Sequence, residues 1–459
     1  MKNLKMILKR STSYMLAIVI MGSFFTGCGT KTEIKNSEDT KKVVVSKKDL
    51  NIKEIKIGFV NELTGAMSSG GISVHNGEET AVDLINEKGG VMGKYKITPI
   101  YSDDKSDVNL AASETERLIK EEKVPIISGA YPSSFGMKMA EVCENNKTIY
   151  WCQTPSTDLL LKDMNRKYIF RVQPMGSDWG KSGIDFLNSN YEKLGVSKVS
   201  DLKIGIVNEN SQFGTYVANS NESQGKLYGM NIVYKQDYDK AVIKDFNPIV
   251  NKLIENKVDV LFLSAYNADM ILFLKSVKEL NFKPKVVIGH GAGFGFLPDI
   301  AKEVGEDMIN YFYDSEPPLI QLIQKDKLSA EAYELNQKAI QIAKDKYNDP
   351  NPNGYFALSF VNTYLLFDKV IPLAIEKYGE VTSESVRKAA LEIDIPEKSI
   401  GLGYGVKFAP EGDQFAGQNI KGFAYIMQYV NGEMGFVWPE RFKSQEGILP
   451  FPSDSFYSK

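Results

Sequence analysis

The fold of this chain is decided by a strand, a loop and a helix that follow one another near residue 55. They read IKIGFV at residues 55–60, TGAMSSGG at residues 64–71 and NGEETAVDLINE at residues 76–87. The apolar run is typical of a buried strand, and the third stretch places Ala81, Leu84 and Ile85 on one helical face. A strand followed by a short loop and a helix is the repeating unit of α/β proteins.

The same alternation of strands and helices continues along the chain. Further strands are predicted at residues 96–101, 124–128, 148–152, 203–208, 231–234, 260–263 and 285–288. Helices joined to these strands by short loops indicate parallel sheets that are covered on both faces. The pattern starts again after about residue 174, so the sequence predicts two α/β lobes, each built on a doubly wound parallel sheet. The C-terminal part is predicted to hold helices at 324–346, 355–378 and 382–392, then strands at 405–408 and 422–429.

The composition excludes several classes of function. The chain has 459 residues, of which 55 are basic and 58 acidic, and a net charge of −3. The length predicts two domains, and the charge argues against a nucleic acid as partner because such a protein needs a basic surface. His75 and His290 are the only histidines, and no nucleophile motif of a hydrolase occurs, so we expect no metal, no cofactor and no enzyme activity. Cys143 and Cys152 could form a disulfide or remain buried thiols.

The N-terminal segment has the composition of an export signal. Its basic residues are Lys2, Lys5, Lys9 and Arg10. Residues 11–27 carry no charge, and a basic segment followed by an apolar one is typical of a signal peptide. The motif FTGC at residues 25–28 resembles the lipobox of bacterial lipoproteins, although Phe25 stands where Leu is usual. We therefore expect residues 1–27 to be cleaved, Cys28 to carry lipid, and residues 28–53 to form a flexible tether to the outer face of a membrane. An uncleaved transmembrane anchor is the alternative.

Several short motifs resemble one family of binding proteins. The most specific is AVDLINEKGGVMG at residues 81–93, accompanied by LTG at residues 63–65 and QTPST at residues 153–157. These motifs are similar to those of the type I periplasmic-binding family, in particular the lipoproteins that bind Leu, Ile and Val or amides for ABC importers. The resemblance implies a protein without enzyme activity that binds a small amino acid, amide or carboxylate and delivers it to a permease. A ligand-binding sensor that acts on a membrane signalling partner is the alternative.

The resemblance also implies how the chain is divided. Three crossovers would join the two lobes near Arg171–Pro174, Tyr313–Pro318 and Phe408–Gly417. Lobe I would comprise residues 54–173 and 314–408, and lobe II residues 174–313 and 409–459. Ligands of doubly wound folds bind beyond the carboxyl ends of the strands, so the cleft between the lobes is the expected site.

Hydroxyl-rich loops follow three predicted strands of the first lobe, at residues 64–71, 130–134 and 154–157. Hydroxyl groups and the free N–H groups at the start of a helix can hold a carboxylate. The resemblance implies that Ser133, beside Ser134, contacts the ligand carboxylate. One of the two serines could instead simply cap the helix that begins there.

The other expected contacts come from both lobes. The resemblance places them at Thr154, Ser156, Thr157, Phe213 and Tyr266. A turn centred on Pro155 is the alternative role of the three hydroxyl residues, and packing in the core is the alternative role of the two rings. Tyr355 is a weaker aromatic candidate, and Trp179 is also expected near the cleft.

One departure from the family concerns the ammonium group of an amino-acid ligand. Amino-acid binders of this family carry an acid at the position that corresponds to Gly291, in a loop that here reads GHGAGFGF at residues 289–296. A buried ammonium without a partner is costly. Either another acid replaces it, with Glu62 and Asp314 as candidates, or the ligand lacks an ammonium group. His290 either lines the site or is a turn residue between two glycines.

Overall fold

The computed structural model describes residues 54–459. The predicted signal peptide, the lipidated Cys28 and the tether lie outside the described residues, so these stay predictions. The described residues form two β-sheets with helices packed against them. The prediction of two α/β lobes built on parallel sheets is thereby confirmed.

The elements alternate along the chain. The strands are β1 (Glu54–Asn61), β2 (Lys96–Asp103), β3 (Ile126–Gly129), β4 (Ile149–Cys152), β5 (Ile169–Arg171), β6 (Lys203–Glu209), β7 (Asn231–Tyr238), β8 (Val260–Ser264), β9 (Val286–His290), β10 (Tyr313–Glu316), β11 (Tyr425–Val430) and β12 (Glu433–Trp438). The α-helices are α1 (Ser68–Glu87), α2 (Val108–Lys120), α3 (Ser133–Asn145), α4 (Gly176–Asn190), α5 (Gln212–Leu227), α6 (Asn247–Glu255), α7 (Asn267–Leu280), α8 (Leu297–Val304), α9 (Ala330–Tyr347), α10 (Gly354–Leu365), α11 (Ile371–Tyr378) and α12 (Ser383–Glu392).

The first sheet is five-stranded and parallel, in the order β2-β1-β3-β4-β5. Its alternating apolar residues Ile55, Ile57 and Phe59 on β1 are buried against the apolar face of α1, which includes Ala81 and Ile85. Because every strand runs the same way, the carboxyl ends of all five strands meet at one edge. The loops that carry the predicted hydroxyl contacts leave from that edge.

The second sheet is seven-stranded, in the order β12-β11-β10-β9-β8-β6-β7. Strands β10, β9, β8, β6 and β7 are parallel, whereas β11 is antiparallel to β10 and pairs with β12 in a hairpin. Asn431 and Gly432 connect the hairpin with positive φ angles of 52° and 88°, as a tight two-residue turn requires. The strands β5, β10 and β12 were not predicted; β10 lies in a segment that the sequence assigns to a crossover, and β5 ends where the first crossover is predicted to begin. The strand predicted at residues 405–408 is not formed, because Val406 and Phe408 make only isolated bridges, to Ile395 and Asn419.

Helices α9 to α12 return to the first sheet and share its core. A wider turn at Leu366–Val370 joins α10 and α11 into one helix, Gly354–Tyr378, of 25 residues. By length and composition this helix could cross a membrane, but 78% of its most apolar window is buried inside the protein. It packs closely on α1 at Gly77, where a Cβ would lie 2.2 Å from Oγ of Ser359. The helix is therefore a core element of the lobe.

Three segments connect the sheets and lie against one another. The first follows β5, the second follows β10 at Pro317–Leu319, and the third comprises residues 420–424, which lead into β11. The side-chain amides of Gln418 and Asn419, directly before the third segment, donate hydrogen bonds to the carbonyl oxygens of Gln173 (2.8 Å) and Val172 (2.9 Å) in the first segment. The third crossing therefore lies after the predicted segment 408–417, because residues 418–419 are still bonded to the edge of the first sheet. Residues 314–316 were predicted to belong to lobe I, but β10 pairs with β9 and β11, so they belong to the second sheet. The other lobe boundaries stay a prediction.

Candidate functional site

A cavity of about 380 Å³ lies where the carboxyl ends of the two sheets face each other. The first lobe lines it with Tyr131, Ser133, Thr154, Ser156, Tyr355 and Leu358. The second lobe lines it with Trp179, Phe213, Tyr266, Gly291, Ala292 and Glu316, and Pro317 of the second crossover completes it. Six of the nine predicted contacts are therefore brought together in one cleft. Their roles toward a ligand stay predictions.

Ser133 forms the donor end of the cleft because it is the first residue of α3. Its Oγ accepts hydrogen bonds from the backbone N–H groups of Ser156 and Thr157, both at 3.2 Å. Since these two bonds occupy the oxygen lone pairs, the hydroxyl proton of Ser133 is available to an acceptor in the cleft. The first N–H groups of α3 have no carbonyl partner within the helix. This end of the cleft therefore suits a carboxylate or carbonyl oxygen.

Thr154 presents hydrogen-bond acceptors to the cleft, whereas Ser133 presents a donor. Its hydroxyl donates toward the carbonyl oxygens of Ala130 and Tyr131, each at 3.0 Å. A hydroxyl has one proton, so Thr154 presents acceptor lone pairs to the cleft. The neighbouring Ser156 accepts a hydrogen bond from the backbone N–H of Gly176 at 2.7 Å through its carbonyl oxygen, which fixes the start of α4 against this loop.

Aromatic rings from both lobes close the cleft. The rings of Tyr131 and Tyr266 meet edge to face with centroids 6.0 Å apart, and Phe213 lies 5.9 Å from Tyr266. Tyr355 packs against Tyr131 at 4.9 Å, and its hydroxyl donates to the carbonyl oxygen of Ala292 at 3.3 Å. Contacts between the lobes thus enclose the cavity, and the structure is a closed form.

Glu316, the last residue of β10, is a cleft residue that the sequence analysis missed. It is 1% exposed, and neither carboxylate oxygen accepts a hydrogen bond from a described residue. The Tyr355 hydroxyl is the polar group beside this carboxylate; it lies 3.3 Å from the carbonyl oxygen of Ala292, and its interaction with Glu316 partly opposes the rise of the Glu316 pKa. Burial raises the pKa of Glu316 well above its ordinary value, and the negative charge of Asp314 raises it further. The signal was present in the sequence, because Asp314 was a candidate and alternate residues of a strand share a face.

Three predicted contacts do not line the cleft. Ser134 is half-buried on the next position of α3, and Thr157 is buried behind Ser133. His290 is fully buried inside the second lobe, where its Nε2 lies 3.2 Å from Nδ2 of Asn221 and its Nδ1 lies 3.2 Å from Oγ of Ser264. Strand β9 continues through His290, which turns this side chain toward the core with Ile288. Burial lowers the pKa of His290 to about 3, so the ring is neutral, and we remove it from the candidate site.

The two acids proposed as replacements for the missing carboxylate lie in different places. Glu62 sits beneath the cleft, where its Oε2 accepts the backbone N–H of Tyr131 at 3.0 Å. Asp314 accepts the backbone N–H of Gly291 at 3.0 Å and leaves its other oxygen without a described partner. Burial raises the pKa of Asp314 to about 8. Asp314 and Glu316 therefore form a buried acidic pair beside the loop that lacks an acid.

The acidic pair also faces a second, open cavity of about 1840 Å³. Its other acidic residues are Asp299, Asp349 and Glu433. No Lys, Arg or His belongs to the described residues that line it or the cleft. Within residues 54–459, no group of three or more His, Cys, Asp or Glu side chains is arranged to hold a metal ion. Cys143 and Cys152 are both buried and free, so the disulfide alternative does not hold.

Comparisons with known proteins agree with this architecture. The sequence pattern of a family described as periplasmic binding protein matches residues 54–433. The Leu/Ile/Val-binding protein homolog 7 of Brucella abortus (strain 2308) is 30% identical over 398 residues, which are 86% of this chain and 94% of that protein. Homolog 8 of the same strain is 27% identical over 387 residues, which are 84% of this chain and 91% of that protein.

Solved structures share the fold. The branched-chain amino acid transporter substrate-binding protein LivJ from Streptococcus pneumoniae, in complex with isoleucine, superimposes with a TM-score of 0.67 at 20% identity and covers 87% of this chain and 100% of that one. A fatty acid ABC transporter substrate-binding protein from Thermomonospora curvata does so with a TM-score of 0.65 at 17% identity, covering 87% and 96%. One name refers to an amino acid and the other to fatty acids, so the shared fold leaves the choice of ligand to the cleft residues.

Proposed function

The chain belongs to the periplasmic binding protein family, and from that premise we propose what it binds and how it is held at the membrane. It is a solute-binding protein of the type found in branched-chain amino acid ABC transporters, it acts outside the cytoplasm, and it is not an enzyme. We propose that it binds a small amino acid, amide or carboxylate in the cleft and delivers it to the permease subunits of an importer. We also propose that lipid on Cys28 anchors it to the outer face of the cytoplasmic membrane.

The observation that carries the proposed ligand class is the enclosed cleft with a donor end. Ser133, which begins α3 and whose hydroxyl oxygen already accepts two hydrogen bonds, lines a cavity to which both lobes contribute. Donors of this kind hold a carboxylate or a carbonyl oxygen without a formal positive charge. The matched family does not support the alternative function, a ligand-binding sensor for a membrane signalling partner, because it consists of solute-binding proteins.

The proposed function requires that the two lobes close on a bound ligand, and this can be measured. Protein purified without added solute is analysed by native mass spectrometry to identify a ligand that co-purifies. After removal of that ligand by unfolding and refolding, adding it back is expected to raise the melting temperature and to reduce the radius of gyration in X-ray scattering. A rise in melting temperature with superimposable scattering curves would contradict binding by lobe closure.

The lipid anchor is tested separately, in the native host. Cys28→Ser is expected to move the protein from the membrane fraction to the soluble or secreted fraction, or to leave an unprocessed precursor, because the thioether anchor is lost. Thr30→Ala, two residues further along, serves as the matched control and is expected to stay with the membrane. Normal processing and membrane retention of Cys28→Ser would show that the lipid is not attached there.

A further inference from the structure

Glu316 is a buried acid that has no basic partner among the described residues, and the Tyr355 hydroxyl is the polar side-chain group beside it. Both oxygens line the cleft, and neither accepts a hydrogen bond from a described residue. A carboxylate taken out of water without hydrogen bonds or an opposite charge is costly, so such groups normally have a partner or bind a proton. A side chain of this kind, aimed into a ligand cavity, indicates that part of the ligand is its partner.

No described basic side chain reaches this carboxylate. Lys240 lies outside the cleft lining, where its Nζ is 3.5 Å from the centre of the Tyr266 ring. The acids that act on Lys240 are Glu209, Asp269 and Asp239, all away from β10. No basic side chain that lines either cavity is therefore available to balance the charge of an ionised Glu316.

Two glycines make room for the carboxylate. A Cβ built on Gly291 would lie 2.6 Å from Oε2 of Glu316, and a Cβ built on Gly295 would lie 2.6 Å from Oε1. Real side chains do not approach this closely, so neither position could carry a larger residue without displacing Glu316. Gly291 also has φ 46° and ψ −150°, a conformation that favours glycine. The 289–296 loop therefore has glycines, and no acid, at the positions next to the Glu316 carboxylate.

The rings around Glu316 suit a positive charge as well. Tyr131 and Tyr355 line the same cavity as Glu316, and tyrosine rings attract cations within about 6 Å. Thr154, in the same cavity, adds acceptor lone pairs.

We propose that the ligand of this cleft carries a protonated amine, and that Glu316, supported by Asp314, holds this nitrogen in place of an acid at position 291. This inference rests on the proposed function and narrows its ligand class from amino acids, amides or carboxylates to cationic amines, including zwitterionic amino acids. The bound ammonium supplies the hydrogen bonds and the charge that Glu316 lacks. The open cavity behind Glu316 leaves space for an amine larger than a branched-chain amino acid.

The test is a set of matched solutes measured by titration calorimetry. The amines are leucine, arginine and 3-methylbutylamine, and the matched solutes without an amine are 4-methylpentanoate and 4-methylpentanamide. At least one amine is expected to bind about tenfold to a hundredfold more tightly than its counterpart without the amine, the value of a charge-assisted hydrogen bond. Equal binding of 4-methylpentanoate and leucine, or binding of no amine at all, would overturn the inference. Stabilisation by Ca²⁺ or Mg²⁺ alone would also overturn it, because the acidic pair would then hold a metal.

Variants separate a ligand contact from a structural role. Glu316→Gln is expected to lose the amine selectivity, while the melting temperature of the unliganded protein at pH 8 stays equal or rises, because a buried carboxyl group without a basic partner is removed. Glu303→Gln makes the same charge change on the surface of α8 and is expected to keep the selectivity. A lower melting temperature of Glu316→Gln with unchanged selectivity would show that Glu316 is structural.

Separate results would contradict the cationic ligand and the proposed solute-binding function. Closure in X-ray scattering with a co-purified ligand that has no amine would support a solute-binding protein and overturn only the cationic ligand. Absence of closure with every solute that binds would overturn the proposed function itself.

Discussion

Glu78 and Glu316 are both buried acids near the ends of parallel strands, yet the chain treats them in opposite ways. Glu78 is 0% exposed and Glu316 1%. Asn61 donates to one oxygen of Glu78 at 2.7 Å, and Ser128 donates to the other at 2.6 Å. Glu316 accepts no hydrogen bond from a described residue. The comparison separates an acid that holds the lobe together from an acid that is free to bind a ligand.

The same difference explains the ionisation of the two acids. Burial raises the pKa of Glu78 to about 8, and the hydrogen bonds from Ser128 and Asn61 oppose that rise. The pKa of Glu316 is raised well above its ordinary value by burial and by the charge of Asp314. Burial alone therefore does not identify a functional acid. The unmet hydrogen bonds of Glu316 do so, because a group that the fold needs is normally satisfied by the fold.

The largest expected effect is the loss of stability when Glu78 is removed. Glu78→Ala is expected to lower the free energy of unfolding by about 3 kcal/mol, because it leaves the Asn61 amide and the Ser128 hydroxyl unpaired and opens a cavity in the first lobe. Urea unfolding followed by tryptophan fluorescence measures it. A variant as stable as the wild type would contradict the contrast with Glu316, because Glu78 would then not stabilise the first lobe.

The pH dependence of stability sharpens the same point. The folded-state pKa of Glu78 is raised to about 8 from an ordinary value near 4.5, so its contribution to stability is fully present below about pH 4.5 and is lost as the pH rises toward 8. One such proton changes the free energy of unfolding by about 1.4 kcal/mol per pH unit. Glu78→Gln is expected to show a shallower decline between pH 5 and pH 8, measured by urea unfolding at each pH. A decline as steep as in the wild type would mean that Glu78 is ionised in the folded chain.

Two serine hydroxyls, of Ser128 and Ser133, differ in the same way in how far the fold satisfies their hydrogen bonds. Ser128 donates to Glu78 and accepts from Gln153 at 2.7 Å, whereas Ser133 accepts twice and keeps its proton free. Ser133→Ala is expected to weaken binding of the solute that the calorimetric set identifies by about tenfold, the loss of one hydrogen bond. Ser134→Ala, one position along α3 and outside the cleft, is the control and is expected to bind normally. Equal affinities for both variants would remove Ser133 from the site.

The smallest expected effect is a release of protons when an amine binds. The cation stabilises the ionised forms of Glu316 and Asp314, whose pKa values are raised in the closed structure, so binding near pH 7 is expected to release up to about one proton. The Tyr131 and Tyr355 hydroxyls keep their protons, since burial raises their pKa further. Calorimetry in two buffers with different ionisation enthalpies measures the number released. No release, with affinity independent of pH from 6 to 8, would show that the acidic pair does not bind the cation.

Most of the fold could be predicted from hydrophobic periodicity and short loops. The strands β1, β6 and β8 read as apolar runs because both faces of a parallel sheet are covered, and that pattern is local in sequence. The strand β10 was missed because three of its four residues, Asp314 to Glu316, are polar, and it was read as part of a crossover. A polar strand inside a sheet is visible only once its neighbours are known.

The candidate site could be predicted where it depends on which loop a residue occupies. Ser133, Thr154 and Ser156 follow strand ends, and the fold brings them to one cavity. The sequence could not show that His290 points into the core, because this depends on whether β9 ends before or after it. A slip of one residue in a strand exchanges the two faces, so the direction of His290 required the observed pairing.

The position of Glu316 next to the second crossover has a consequence for the order of events in binding. In any rotation of one lobe against the other about the crossovers, an atom moves in proportion to its distance from the axis, and Glu316 directly precedes the crossover at Pro317–Leu319. Its carboxylate therefore keeps nearly the same position in open and closed forms. On the inference that it holds an amine, a cationic solute is captured at the pivot first and the hydroxyl groups join as the lobes approach. Raising the ionic strength is then expected to lower the association rate strongly and to change the dissociation rate little, because long-range attraction acts during capture.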